Sequence, residues 1–143
     1  MAHTFTHLLM HLIFSTKDRL PLLDETLRER LIPYIGGKTI AINGTADHVH
    51  ILASLPPGKS LSETLQIIKG NSSRWLHDTF PQNNTFSWQV GYGAFSVSES
   101  QREDVCNYIA GQQEHHRKVT FEEEFLAFLK RHNIEYDPKY LWK

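Results

Sequence analysis

The 143-residue sequence predicts an α+β fold in which an antiparallel sheet carries helices on one face. Three observations favour this fold. Segments with apolar residues at every second position alternate with segments whose apolar residues recur at helical spacing. A serine or threonine followed three residues later by glutamate marks two helix starts, at Ser60 and at Thr120. The resulting order, β-α-β-β-α-β followed by two helices, is typical of a ferredoxin-like or RNA-recognition-like sandwich.

The first half of the chain divides into a strand, a helix and a hairpin. Residues 4–16 are rich in β-branched and aromatic side chains and predict the first strand. Asp24 can cap a helix that continues to about Ile35, where two glycines end it. Residues 38–43 and 48–55 predict two strands, and the turn between them indicates a β-hairpin.

The second half continues with a helix, a strand and two further helices. Proline and glycine precede a helix over about residues 60–79, and a strand is predicted over 86–98. Two glycines in that strand mark a bulge or the close approach of another element. Residues 99–117 predict the next helix, and Thr120 begins a last helix through about His132. The aromatic tail that follows is expected to dock on the rest of the chain.

Length and composition indicate one domain, residues 1–143, with a core over about 5–118 and a helical tail over about 119–143. With 40% hydrophobic residues, the chain can bury a sizeable core. The single cysteine, Cys106, allows no intrachain disulfide and fits a reducing, cytoplasmic setting. Because no apolar run approaches the roughly 18 residues of a membrane span, we expect no membrane partner. The net charge of −1 argues mildly against a nucleic-acid binder.

Two histidines, His48 and His50, stand at the start of the predicted third strand. Residues two apart share a strand face at about 6.6 Å along the chain, so their imidazoles can converge on one metal ion. A pair of half-buried, hydrogen-bonded histidines fits the same spacing. The motif alone leaves both interpretations open.

A tyrosine and a glutamine, Tyr108 and Gln112, lie four residues apart in the predicted helix 99–117. At that spacing they share a helix face, with Cβ atoms about 5–6 Å apart. A tyrosine hydroxyl can act as a nucleophile, and a carboxamide oxygen beside it can bind the same metal. The alternative is that Tyr108 is an amphipathic core residue with its hydroxyl in water.

Together these segments resemble one family. In order, the segments "DHVHIL", "IIKGNSSRW", "GYGAFSVSES" and "YIAGQQ" are similar to the single-tyrosine transposases of the HUH nuclease superfamily, the insertion-sequence-200-like group. The opening "HLIFSTKDRLPLL" resembles that family's first strand and loop. The resemblance extends from about residue 5 to 113. The C-terminal segment is similar to the repeat-associated tyrosine transposases.

The resemblance implies a role for each motif residue. His48 and His50 would bind a divalent metal, Mg²⁺ or Mn²⁺, with Gln112 as the third ligand. Tyr108, on a C-terminal tyrosine-bearing helix, would attack the scissile phosphate to give a 5′-phosphotyrosine and a free 3′-hydroxyl, followed by strand transfer. The implied partners are a single-stranded DNA hairpin at the ends of the element and a second copy of the chain in a homodimer.

Four basic side chains are candidate DNA contacts: Lys17, Arg19, Lys69 and Arg74. For Lys69 and Arg74, which belong to the second predicted helix, a solvated helix face is an equally good explanation.

Other polar residues near the motifs have simpler expected roles. Asp47 can orient an imidazole or can belong to the turn. His115 and His116 follow the tyrosine and are expected to touch DNA. His7 and His11 share a face of the first strand, where we expect them to pack or to lie on its polar side.

Two other classes of function compete with the transposase. An RNA-recognition-like module would bind single strands by stacking without catalysis, but it leaves the tyrosine and the histidine pair unexplained. A metal-dependent hydrolase would use the same two histidines with water as the nucleophile. Its weakness is the lack of an acidic ligand close to the histidines in the sequence.

Overall fold

Regular secondary structure accounts for most of the residues that the computed structural model describes, 3–36 and 39–143. The strands are β1 Leu9–Ser15, β2 Ala41–Gly44, β3 His48–Ser54 and β4 Gly93–Ser96. The helices are α1 Glu25–Gly36, α2 Leu61–Thr79, α3 Arg102–Ala110, α4 Gln112–His115 and α5 Phe121–Arg131. Short 3₁₀ turns occur at Lys17–Arg19, Glu99–Gln101 and Pro138–Tyr140.

The strands form one antiparallel sheet in the order β2-β3-β1-β4. The α+β class and the predicted β2–β3 hairpin are therefore confirmed. Strands β1 and β3 occupy the centre, and their register pairs Ile13 with His50. The histidine motif thus lies on a strand that is paired on both sides and cannot slide.

One face of the sheet forms the larger core with α1 and α2. Leu12 and Phe14 of β1 and Val49 and Ile51 of β3 point to this side and are fully or almost fully buried. The two helices contribute Leu27, Leu31, Leu65 and Leu76. Each buried side chain of this kind contributes about 1.5–3 kcal/mol, so this face supplies much of the stability of the fold.

The opposite face carries the alternate residues of the same two strands. On β3 these are His48, His50 and Leu52, and they are covered by α3, α4 and α5. Helix α5 closes this side with an aromatic stripe that packs on the sheet: Phe121, Phe125 and Phe128. The fold therefore buries polar imidazoles beneath a helix, which requires polar partners for them.

Local capping chemistry positions the long helices as the sequence indicates. The side chain of Ser60 accepts a hydrogen bond from the backbone of Glu63 at the start of α2. Thr120 and Glu123 form the complete reciprocal capping box at the start of α5. Such a cap contributes about 1 kcal/mol and fixes where the helix begins.

Three elements are shorter than the sequence predicts. The first strand begins at Leu9, and the exposed residues 3–8 before it are not part of a strand, although the carbonyl of Leu8 still accepts a hydrogen bond from the backbone of Leu55. Only residues 93–96 of the predicted strand 86–98 join the sheet, and a single bridge links Thr16 to Trp88 before them. The helix predicted over 99–117 is interrupted at Gly111, whose φ and ψ are −92° and 15°.

Gly93 allows α5 to approach β4 closely, as the glycines of this segment predict. A Cβ atom at this position would lie 2.7 Å from Cε1 of Phe125 and 3.1 Å from Cε2 of Phe95. The C-terminal tail also docks here, since the ring of Trp142 lies 5.5 Å from that of Phe125.

None of the helices in residues 3–36 and 39–143 has the length and hydropathy of a membrane span.

Candidate metal and tyrosine site

The histidine motif lies at the centre of the site. His48 and His50 are both fully buried, and their ring centroids are 5.1 Å apart on the same face of β3. The shared face that their spacing predicts is therefore present. Their Nε2 atoms point towards the C-terminal helices, where the hydrogen-bonding partners of these two nitrogens lie.

Glu124 of α5 and His116, which follows α4, complete a cluster with these histidines. The Oε1 atom of Glu124 lies 2.9 Å from Nε2 of His50, 3.1 Å from Nε2 of His116 and 3.6 Å from Nε2 of His48. The ligand atoms of the four residues all lie within 4.8 Å of one another. Side chains from three separate segments thus bring their ligand atoms close enough together to contact a single ion.

The chemistry of these donors fits a divalent cation. Three imidazole nitrogens and a carboxylate oxygen, shielded from water, are a ligand set that suits Mn²⁺ and its neighbours better than Mg²⁺. Several imidazoles that point at one carboxylate oxygen also compete for its lone pairs. A cation bound by His48, His50, His116 and Glu124 would remove this competition, because each imidazole nitrogen would donate its lone pair to the metal instead of sharing the carboxylate oxygen.

Gln112 lies at the edge of this cluster and is fully buried. Its Oε1 atom lies 2.9 Å from Nε2 of His116 and 3.3 Å from Nε2 of His48. Its amide nitrogen donates a hydrogen bond to Oε2 of Glu124 at 3.2 Å. The amide oxygen therefore faces two of the candidate ligands, and its own predicted role as a ligand stays a prediction.

The Tyr108 hydroxyl reaches the same cluster from α3. It donates a hydrogen bond to Oε2 of Glu124, and it lies 3.4 Å from Nε2 of His115. The ring is held edge-on against His50 and Phe128, with centroid distances of 5.8 and 5.9 Å. Burial and the Glu124 carboxylate raise the pKa of the phenol, so the hydroxyl is a neutral donor in this arrangement.

Burial and the shared carboxylate set the electrostatics of the site. Desolvation lowers the pKa of His50 to about 4, against the opposing effect of Glu124. Burial and the neighbouring His50 lower the pKa of His11 to about 3. Burial alone would raise the pKa of Glu124, but hydrogen bonds from His116 and His50 hold it far below its usual value. At neutral pH an ionised carboxylate is therefore surrounded by donors.

Asp47 orients the His48 ring from the outer side of the site. Its Oδ1 atom lies 2.8 Å from Nδ1 of His48, and Oγ1 of Thr45 lies 2.9 Å from the same nitrogen. Phe121 stacks on the imidazole at 3.8 Å with its plane tilted by 8°. In the tautomer with a bare Nε2, the Nδ1–H group donates to Asp47, which directs Nε2 into the cluster. The same Asp47 oxygen accepts a hydrogen bond from Oγ1 of Thr45 at 3.2 Å, so these contacts fit both the orienting role and the turn role of Asp47.

A cleft of about 360 Å³ lies beside the tyrosine. Its walls include Tyr108, His115, Asp104, Glu124 and Arg131. A nucleotide-sized group could approach the hydroxyl by this route, and Arg131 would place a cation close to its phosphate.

Of the four basic residues proposed to contact DNA, Lys17 and Arg74 are exposed. Arg19 lies with its guanidinium 4.6 Å from the centre of the Trp142 ring and 3.7 Å from a carboxylate oxygen of Glu122. Arg19 therefore links the loop after β1 to α5 and the tail.

Lys69 is also engaged within the protein. Its ammonium donates hydrogen bonds to the carbonyls of Val90 at 3.1 Å and Gly91 at 2.7 Å. Burial lowers its pKa to about 8. These contacts hold the segment before β4 against α2, so a contact between Lys69 and DNA would compete with them.

Glu124 and the position of His116 in the cluster are absent from the sequence-based predictions. A signal for Glu124 exists, because it is an acidic residue on a stripe whose other members are Phe121, Phe125 and Phe128. A charge at a buried helix position usually has a specific partner. His116, expected to touch DNA, instead has its Nε2 atom turned towards Gln112 and Glu124.

The fold and the site together define a class, a small α+β protein with a buried histidine–glutamate cluster beside a tyrosine. The family model described as "Transposase IS200 like" matches residues 4–112. The chain belongs to this IS200-like transposase family, which confirms the resemblance recognised in its motifs. The transposase for insertion sequence element IS200 of Salmonella typhimurium is 26% identical over 126 residues, which cover 80% of this chain and 82% of that protein.

Other relatives extend the comparison. The ISDra2 transposase TnpA of Deinococcus radiodurans is 29% identical over 84 residues, 55% of this chain and 60% of that relative's length. A crystal structure of a transposase from Deinococcus radiodurans covers 78% of this chain and 95% of that chain at 24% identity, with a TM-score of 0.61. A structure of a REP-associated tyrosine transposase bound to a REP hairpin covers 83% of this chain and 76% of that chain at 17% identity, with a TM-score of 0.56. Both structures share the fold.

Proposed function

We propose that the protein is a metal-dependent single-strand DNA transposase of the HUH tyrosine type, with Tyr108 as its nucleophile. One observation carries the proposal. Tyr108 donates to one oxygen of Glu124, while the Nε2 atom of His50 lies 2.9 Å from the other oxygen. The nucleophile and the candidate metal ligands therefore meet at a single carboxylate.

The reaction balances within the residues of the site and the DNA. The Tyr108 oxygen forms a bond to the scissile phosphorus, and the bond from phosphorus to the 3′-oxygen breaks. The phenol loses one proton, and the departing 3′-oxygen takes up one proton. The products are a 5′-phosphotyrosine and a free 3′-hydroxyl, and the reverse attack by a 3′-hydroxyl transfers the strand. Since one phosphodiester replaces another, rejoining needs no external energy source.

The metal ligands in this proposal are His48, His50, His116 and Glu124, with the amide oxygen of Gln112 close enough to join them. When bound there, Mg²⁺ or Mn²⁺ supplies polarisation of the phosphate and stabilises the departing oxygen. Glu124 and the packing of Phe128 hold the tyrosine ring beside these ligands.

The proposed substrate is a single-stranded DNA hairpin at the ends of an element. The support is the structural neighbour described as bound to a REP hairpin, together with the shared family. We also propose a homodimer in the cytoplasm. The short edge strands β2 and β4 of the sheet leave backbone groups that a second copy can cover.

Incubation with hairpin-bearing single-stranded DNA and Mn²⁺, followed by a denaturing gel, tests the proposal. A metal-dependent covalent adduct is expected with the wild type and with Tyr140→Phe, which alters an exposed tyrosine. The adduct should be absent from Tyr108→Phe, which loses one oxygen and almost no volume. An adduct that persists in Tyr108→Phe would contradict the assignment of the nucleophile.

The hydrolase is the second candidate, because Glu124 supplies the acidic ligand that the sequence lacks near the histidines. In that case water attacks, no adduct forms, and cleavage survives in Tyr108→Phe. A binding module without catalysis would retain the hairpin but leave the strand intact with every divalent metal tested.

A further inference from the structure

His11 contacts the histidine motif from the neighbouring strand. It lies on β1, is buried, and shares the sheet face of His50. Its Nε2 atom is 2.8 Å from Nδ1 of His50, and the two ring centroids are 5.0 Å apart. The ring of Phe128 lies edge-on to the His11 ring, with the centroids 5.2 Å apart, and restricts the rotation of the imidazole.

A cation at the cluster would require one particular form of His50. An imidazole nitrogen that binds a metal carries no proton, so Nε2 of His50 must be bare. The proton of the neutral ring is then on Nδ1, and a buried N–H group needs an acceptor. The atom in reach is Nε2 of His11.

We infer that His11 is a positioning residue that holds His50 in the tautomer able to bind a divalent cation through Nε2. The inference rests on the proposed function only in assuming that the cluster binds such a cation. In the protein with a bound cation, His11 carries its own proton on Nδ1. The Nε2 atom of His11 then accepts the hydrogen bond from Nδ1–H of His50.

The same hydrogen bond also serves the protein without a metal. There Nε2 of His50 lies 2.9 Å from Glu124, so that nitrogen carries the proton and donates it to the carboxylate. Nδ1 of His50 then accepts, and Nε2–H of His11 donates. An imidazole can take either role, whereas a carboxylate in its place could only accept. The histidine pair therefore keeps its hydrogen bond whether or not a metal is present.

Mn²⁺ affinity of variants, measured by calorimetry without DNA, separates this role from simple packing. His11→Phe keeps an aromatic ring but removes the acceptor, and we expect Mn²⁺ affinity to fall by about 10- to 100-fold. His11→Gln retains an end group that can accept or donate, and should stay close to wild type. His7→Phe, at an exposed histidine of the same segment, should bind as the wild type does.

Thermal denaturation without metal checks that each variant folds. Equal affinity in wild type and His11→Phe would overturn the inference while leaving the proposed function intact. An equal loss in folded His11→Phe and His11→Gln would show that only packing matters and would also overturn it. A wild type that binds no Mn²⁺ would overturn the proposed function, and this inference with it.

A second measurement needs no variant that could misfold. Long-range ¹H–¹⁵N spectra of the wild type, labelled at its histidines, report which ring nitrogens carry protons. On addition of diamagnetic Zn²⁺, which imidazole ligands suit, His50 and His11 should both change to the form protonated at Nδ1. If either ring keeps its proton on Nε2 at saturating Zn²⁺, the assignment is wrong.

Discussion

The Tyr108 hydroxyl donates its hydrogen bond to the Glu124 carboxylate of its own chain, the same group that His50 contacts at 2.9 Å. The phenol and the histidine motif are therefore assembled within one copy. The resemblance to HUH transposases also allows the tyrosine of one subunit to serve the histidines of another. The observed contact favours the arrangement within one subunit.

Subunit mixing tests this arrangement. His48→Ala and Tyr108→Phe should each be inactive alone, and a mixture of the two should remain inactive, because every site then carries one defect. The measurement is adduct formation after verified subunit exchange. Recovery of cleavage would show that Tyr108 acts in the partner's site. Light scattering that gives a monomer would remove the dimer from the proposal.

Glu124→Gln should weaken Mn²⁺ binding by at least about tenfold, because the amide replaces an anionic ligand by a neutral one. It should also lower the free energy of unfolding by about 2 kcal/mol, since hydrogen bonds from His50, His116 and Tyr108 lose their charged acceptor. Calorimetry with Mn²⁺ and urea denaturation give the two values.

Glu122→Gln is the matched control for that change. Glu122 is half exposed and pairs with Arg19 only at 3.7 Å. We expect no change in Mn²⁺ affinity and a stability change under about 0.5 kcal/mol. If Glu124→Gln and Glu122→Gln had the same Mn²⁺ affinity, Glu124 would not be part of a metal site.

The stability of the metal-free protein should fall in mild acid. The pKa of His50 is about 4 in the folded protein, below its ordinary value of 6.5, so the unfolded chain binds more protons between these values. Stability therefore decreases as the pH falls from 6.5 towards 4, by roughly 3 kcal/mol from His50 alone. The lowered pKa of Glu124 extends the loss to lower pH, because its stabilising contribution disappears as it is protonated.

His116 acts in the opposite direction at higher pH. Although burial opposes it, Glu124 raises the pKa of His116, so its stabilising contribution is complete below 6.5 and is lost as the pH rises through the raised value. Urea denaturation in the presence of a chelator, from pH 8 to pH 4.5, should show maximum stability near neutrality. A constant midpoint between pH 6.5 and 5 would contradict the buried, neutral state of His50.

The strand that carries the histidines could be predicted from sequence because strand alternation is local. A shared face for His48 and His50 requires only that they are two residues apart. The helix starts at Ser60 and Thr120 could be predicted for the same reason, since each cap is complete within four residues. The family motifs extended this information to the tyrosine.

The other half of the cluster depends on long-range packing. Glu124 is 74 residues from His50 in the chain, and its neighbours Glu122 and Glu123 are also acidic. Glu124 reaches the site, rather than Glu122 or Glu123, because it lies on the side of α5 that contacts the sheet. The break at Gly111 is similar, because a glycine that costs a helix about 1 kcal/mol does not by itself end one.

Gly93→Ala should destabilise the protein by about 1–3 kcal/mol, because the added methyl group overlaps the ring of Phe125. The displaced α5 carries Glu124, so Mn²⁺ affinity should fall with stability. Gly70→Ala is the control, since a Cβ atom there has no neighbour within 4 Å and its helical position favours alanine by about 0.5–1 kcal/mol. Denaturation midpoints that change equally in both variants would refute the overlap.

Strand β3 divides its seven residues between two sides of the sheet, with Val49 and Ile51 in one core and His48 and His50 in the other. An inserted or deleted residue inside this strand would reverse its phase and place the imidazoles in the leucine core beneath α2. Single substitutions in β3 damage one side only, whereas a change of length destroys core and site together. Across relatives of this chain, we therefore expect insertions in the turn over 55–60 and a constant length between Asp47 and Ser54.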